Sequence, residues 1–188
     1  MDTKSCDWPS NNALMISYHD TEWGVPVHDD TKLFEFLLLD AFQAGLSWQT
    51  ILNKRQAFRE AFDQFDYRKI AHYDELKVQE LMNNAGIIRN QLKIRATIKN
   101  AQIFMQIQQE YGSFNQFIWQ FTSHKTIDNQ LVLQKDMPVR TAESDAMSKA
   151  LMARGFKFVG STICYAFMQA AGMVNDHLLQ CYRHKEVG

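Results

Sequence analysis

Apolar residues along this chain recur every three or four positions, segment after segment, and no alternating apolar–polar stretch lasts more than a few residues. That spacing builds helices and leaves a sheet without strands. Thr31 to Ala44 reads as a helix with Leu33, Phe34, Leu37, Leu38 and Ala41 on one stripe and Gly45 as its stop. Ser47 is placed to cap a helix running through Ile51, Leu52, Phe58 and Phe62, and Asp74 to cap one through Leu76, Leu81 and Met82 that ends at Gly86. Arg89 to Tyr111 forms a long helical pattern with Ile94, Ile98, Ala101 and Met105 inward. Shorter helices are predicted at Phe114–Phe121, Ser144–Arg154, Ser161–Ala171 and Asn175–Tyr182, with Thr122–Thr141, which contains Pro138, as the long loop. The fold class is therefore all-α, a compact bundle of eight or so helices. The 188 residues suit one unit or two small, intimately packed lobes.

The net charge is only −1, but it is unevenly spread. Residues 1–88 hold 8 Lys/Arg against 14 Asp/Glu, and residues 89–188 hold 12 against 7. The asymmetry permits a basic face for a polyanion; solvated helix faces explain it equally well. The longest apolar run, near Leu37–Leu39, is far too short to span a bilayer, and the opening residues lack the apolar core of a secretory signal. These features lead to the expectation of a cytoplasmic monomer.

Three cysteines, Cys6, Cys164 and Cys181, argue against a disulfide framework. His177 and Cys181 are four apart in a stretch expected to be helical, so both would leave one face. Cys6 and His19 lie near the other end, a short turn-rich segment apart. Together the four make a Cys₂His₂ set suited to tetrahedral zinc with no vacant position, which would clip residues 1–20 onto residues 175–182. Taken singly, each pair also fits coincidence. Cys164, inside STICYAFMQA, reads as a small buried hydrophobe.

The stretches YHDTEWGVP (18–26), QAGLSWQTIL (43–52), NNAGIIRNQLKI (83–94) and GFKFVGSTICYAFMQAAGMVNDH (155–177) resemble, in order, the 3-methyladenine DNA glycosylase type I family. The resemblance runs from Cys6 to Cys181. It implies a helix-hairpin-helix glycosylase fold, monofunctional base excision from alkylated double-stranded DNA, and one structural zinc ion joining the termini. Cys6, His19, His177 and Cys181 match the family's ligands.

Methylation at N3 leaves adenine cationic, so an electron-rich aromatic pocket suits it. Trp8, Tyr18, Trp23 and Trp48 are the candidates, and Tyr18 and Trp48 match the family's pocket positions. Core packing beside the clip is the plainer role, and for Trp8 the two readings are balanced. A buried carboxylate would complement the cation. The family places a Glu just before QAGLSW, where this chain has Asp40, one methylene shorter. Asp40 is taken as the active-site carboxylate that reads the base; reaching it would need a shifted helix, a bridging water or another acceptor. Asp176, beside His177, is expected to orient or flank the metal ligand. Ser161 and Thr162 follow Gly160 where bifunctional relatives carry a nucleophilic Lys, so strand cleavage through a Schiff base is not expected.

For DNA, the resemblance points to the backbone N–H groups of Gly160, Ser161 and Thr162, with Lys157, as a phosphate cradle. Gly45 and Leu46 would wedge into the gap left by an extruded base. An ordinary packing joint and a plain core contact are the alternatives. Arg89, Lys93 and Lys149 could add phosphate contacts or be surface charge. Two other functions fit parts of this pattern. A noncatalytic module that senses alkylated DNA is fed by the Asp40 departure. A zinc hydrolase is discounted because no HExxH occurs and the four ligands leave no open site.

Overall fold

A computed structural model describes residues 5–187. It is built on helices α1 (Ala13–Thr21), α2 (Asp30–Gln43), α3 (Trp48–Ala61), α4 (Tyr67–Ile70), α5 (Glu75–Asn83), α6 (Gln91–Tyr111), α7 (Phe114–Trp119), α8 (Ala142–Ala153), α9 (Ser161–Ala170) and α10 (His184–Val187). Two-residue strands, β1 (Ile127–Asp128) and β2 (Val174–Asn175), pair in parallel, with Ile127 opposite Val174 and Asp128 opposite Asn175. No helix among the described residues is long and apolar enough to cross a membrane.

Helix starts follow capping chemistry. The side chains of Asn12, Asp29, Ser47, Asp74, Asn90, Ser113 and Thr141 each accept a backbone N–H of the helix they precede. The centre of the fold is α2, on which every residue from Leu33 to Phe42 is buried. The predicted one-sided stripe is thus corrected to burial all round, because α3, α6, α7 and α9 each pack against α2. Glu35 is buried there too, and it is neutralised by Arg55 Nε at 2.7 Å, Arg59 at 2.9 Å and Lys32 at 3.2 Å. Arg55 also grips both oxygens of Glu22 at 2.7 Å, tying the end of α1 to α3. Burial alone would raise the Glu22 pKa, but the Arg55 and Lys32 charges win and draw it down to about 2.

Two predicted elements differ. Asn175–Tyr182 is a turn-rich segment, not a helix, with only β2 and the short α10 flanking it. Asn175 explains this: its Oδ1 accepts His177 N and its Nδ2 donates to His184 O, closing a turn. Conversely, the turn expected between Cys6 and His19 contains α1, whose only buried residues are Tyr18 and His19.

Gly172 closes α9 against the loop after α1. Its φ is +66°, and a Cβ there would sit 2.3 Å from the Val25 carbonyl carbon. Gly172→Ala is therefore expected to cost roughly 2–5 kcal/mol, from forced left-handed backbone plus overpacking. A thermal midpoint unchanged from the parent would refute that.

Candidate active site and metal centre

A cavity of about 240 Å³ opens between the ends of the chain. Tyr18 enters it from the last turn of α1, Asp40 from the last turn of α2, and Trp48 from the first residue of α3. Trp8 and Trp23 complete an aromatic wall. The rings touch in sequence: Trp23 to Trp8 at 5.0 Å, Trp8 to Tyr18 at 6.4 Å, and Tyr18 to Trp48 at 5.2 Å between centroids. All four aromatic candidates and Asp40 therefore share one space.

Several buried polar atoms of that lining have no protein partner. Asp40 is 2 % exposed, and its Oδ2 is buried with no hydrogen bond. Five buried side-chain polar atoms among the described residues lack a partner, and four of them belong to this lining: Trp8 Nε1, Trp48 Nε1, Asp40 Oδ2 and Gln134 Oε1. A folded chain seldom strands so many polar atoms together, since each costs about 1–3 kcal/mol. Two indole donors and two carbonyl-type acceptors left waiting around one cavity describe a polar, flat ligand. Burial holds the Asp40 carboxyl well above its ordinary range, and the same burial, with the Asp40 charge beside it, raises the Tyr18 phenol.

Gln43, Gln134, Met137 and Gln169 also line the cavity and were not anticipated. Gln134 and Met137 sit in the long connection, which lacks periodic apolar residues and contributes these two side chains to the lining. Gln169 lies on α9, where it is the one amide side chain in a mostly apolar helix, and that was the available signal.

Beside Trp23 lies the second cluster. Cys6, His19, His177 and Cys181 are all buried, and their ligand atoms lie within 4.8 Å of one another. His177 Nδ1 is 3.8 Å from Cys6 Sγ and 3.7 Å from Cys181 Sγ, and His19 Nε2 is 3.5 Å from Cys181 Sγ. A tetrahedral zinc with ordinary Zn–S and Zn–N lengths separates its ligands by roughly 3.5–3.8 Å. The remaining ring nitrogens are fixed: His19 Nδ1 pairs with Asp20 at 2.7 Å, and His177 Nε2 with Trp23 O at 3.0 Å. Burial lowers His177 to about 4, so its ring is neutral near pH 7, the form that could bind a metal, and burial raises the Cys6 thiol to about 12. A thiol held so high ionises only against a cation. The donor set fits zinc. The convergence of His177 and Cys181 comes from a turn rather than the expected helix face, and Asp20, not Asp176, is the carboxylate on a ligand histidine. Asp176 instead accepts from Tyr165, Gln169 and Asn129. Cys164 is fully buried and donates to Val159 O, as a core residue.

The expected DNA residues lie on two turns. Gly45 (φ +83°) and Leu46, 41 % exposed, form the turn from α2 to α3. Gly160 caps α9 without a side-chain bond, and Thr162 is exposed. Ser161 Oγ is not free, because it is bonded to the Asp145 carboxylate and, at 2.8 Å, to Ser144. Lys157 is exposed, its backbone clamped to both ends of the Asn100 amide. Arg89 and Lys149 are exposed as well. Lys93 is a correction: it is buried, donating to Phe42 O at 2.9 Å and Ala44 O at 2.8 Å, so it caps α2 and is no phosphate ligand.

Residues 8–184 match the methyladenine glycosylase family model. The chain is 50% identical, over 94% of each sequence, to a protein named DNA-3-methyladenine glycosylase 1 from Escherichia coli strain K12. A crystal structure of a 3-methyladenine DNA glycosylase I superposes with a TM-score of 0.93 at 49% identity, covering 95% of this chain and 98% of that one. A Staphylococcus aureus 3-methyladenine DNA glycosylase I, solved for the basis of 3-methyladenine recognition, gives 0.92 at 34% identity, covering 96% of both. Cavity, cysteine–histidine cluster and helical frame thus sit in a chain that matches these relatives nearly end to end, and it belongs to the methyladenine glycosylase family.

Proposed function

We propose that this protein is a DNA glycosylase that hydrolyses the N-glycosidic bond of 3-methyladenine in double-stranded DNA. The observation that carries the reading is the set of unpartnered buried atoms, Trp8 Nε1, Trp48 Nε1, Asp40 Oδ2 and Gln134 Oε1, around one aromatic cavity. Indole and phenol faces attract a cationic ring, and the Asp40 carboxylate supplies the compensating charge. The acceptors meet the exocyclic amine, and the indole N–H groups meet ring nitrogens.

The base must leave the helix to enter this cavity. Once it is seated, the glycosidic bond breaks with its electron pair going to the base, which departs as neutral 3-methyladenine. The sugar develops cationic character at C1′, and water supplies the new bond there. No amine lines the cavity among the described residues, so the step is hydrolysis rather than imine formation.

Leu46, with Gly45, is assigned the space vacated by the base. The segment from α8 through Val159–Gly160 to α9 is assigned as the hairpin that holds phosphate, through the N–H groups of Ser161 and Thr162 and the Lys157 ammonium. Zinc on Cys6, His19, His177 and Cys181 is structural, because four protein ligands leave no position for water.

The deciding experiment incubates the protein with methylated duplex DNA and separates the released bases by chromatography. Free 3-methyladenine is expected. Binding without release would sink the enzyme and leave a noncatalytic sensor of alkylated DNA.

A further inference from the structure

We infer that Gln169 distinguishes an amino-bearing from an oxo-bearing methylated purine, its carbonyl oxygen held toward the cavity by the Asp176 carboxylate behind it. The inference rests on the cavity being the base pocket.

Gln169 stands on α9 in the cavity wall. Its Nε2 donates to Asp176 Oδ2 at 2.7 Å. Asp176 is 1 % exposed and also receives Tyr165 Oη on Oδ2 at 2.8 Å and Asn129 Nδ2 on Oδ1 at 2.6 Å. A buried carboxylate gathering three donors accepts only N–H or O–H, so the amide orientation of Gln169 is fixed by chemistry. The Oε1 end therefore points away from Asp176. It accepts no hydrogen bond from the protein, and the side chain that carries it lines both this cavity and the adjoining one beside Pro138 and Thr162. The backbone is pinned as well: Gly24 N donates to Gln169 O at 3.0 Å, joining this residue to the Trp23 loop. A fixed acceptor of this kind takes a proton from an exocyclic amine, whereas an oxygen at the same position on the purine would meet it lone pair to lone pair. Asp40 supplies charge and accepts from one amine hydrogen, but a carboxyl can take up a proton and donate to an oxo group; the Gln169 amide oxygen cannot, so it supplies the reading of amine against oxo.

The test uses full-length zinc-loaded protein and methylated DNA that contains both 3-methyladenine and 3-methylguanine. For Gln169→Met and Gln169→Leu, the ratio of the two single-turnover release rates is expected to fall about ten-fold or more, chiefly through lost 3-methyladenine release. A thermal midpoint near that of the parent accompanies it. An unchanged ratio, with both rates lowered alike, assigns Gln169 to packing and overturns the inference. On the unmodified protein, free 3-methylhypoxanthine should compete at least about ten-fold more weakly than free 3-methyladenine. Equal competition overturns the inference even if neither variant folds. Absence of any 3-methyladenine release by the parent would instead remove the enzymatic reading.

Discussion

Replacing Asp40 by asparagine is expected to lower kcat/KM for 3-methyladenine excision by roughly 10²–10³-fold, the loss that follows when one partner of a desolvated charge pair is neutralised. Stability should move the other way. Burial holds the Asp40 carboxyl above the ordinary aspartate value of 3.8, so folding favours the protonated acid over the carboxylate. Its stability contribution is complete below that value and is lost as pH rises through the raised one. Asparagine imitates the neutral acid at every pH, so Asp40→Asn should keep or raise the thermal midpoint near pH 7. A cationic base must also displace the proton, so kcat/KM of the parent should climb with pH until Asp40 is ionised unaided, and the variant should lose that slope. Single-turnover kinetics and calorimetry over a pH series measure both. Unaltered excision by the asparagine variant would mean that another acceptor reads the cation.

The second large effect concerns the metal. Cys181→Ala or His19→Ala should abolish stoichiometric zinc and cost several kcal/mol, on the order of 10–15 °C in Tm for a chain of this length. Two distant segments would then lose a tie through the metal, and buried thiols and imidazoles would be left without a cation. Elemental analysis of the parent should return about one zinc per chain. A metal-free parent with the same Tm would eliminate the clip.

Much of the frame was legible because helix chemistry is local. Ser47, Asp74 and the Leu33–Ala41 spacing marked α2, α3 and α5 within a few residues, since caps and apolar periods need no tertiary information. Helix α1 was hidden: Leu14 and Ile16 are exposed and only Tyr18 and His19 turn inward, so no apolar stripe announces it. The opposite error arose at Asn175–Tyr182, where His177, Leu178 and Cys181 mimic helical spacing, but the chain turns to deliver side chains to the cysteine–histidine cluster. Tyr18, Trp48 and Asp40 were reached through motif resemblance, whereas the four ligand candidates followed from residue type and spacing, which the resemblance then matched. Gln134 lay beyond reach, because an irregular connection acquires its position only from what it folds over. Lys93 was misplaced for a related reason: a lysine on a helix looks solvated until the carbonyl end of another helix arrives above it.

The Trp23–His177 contact, with ring centroids 4.6 Å apart, joins residues 154 positions apart. Trp8, Tyr18, Asp40 and Trp48 emerge from the ribosome well before Ala166, Gln169, His177 and Cys181. A chain halted or cut between residues 48 and 166 holds only part of the aromatic cavity and half of the cysteine–histidine cluster. Base release should therefore be absent from such a piece and arise only once residue 181 is in place.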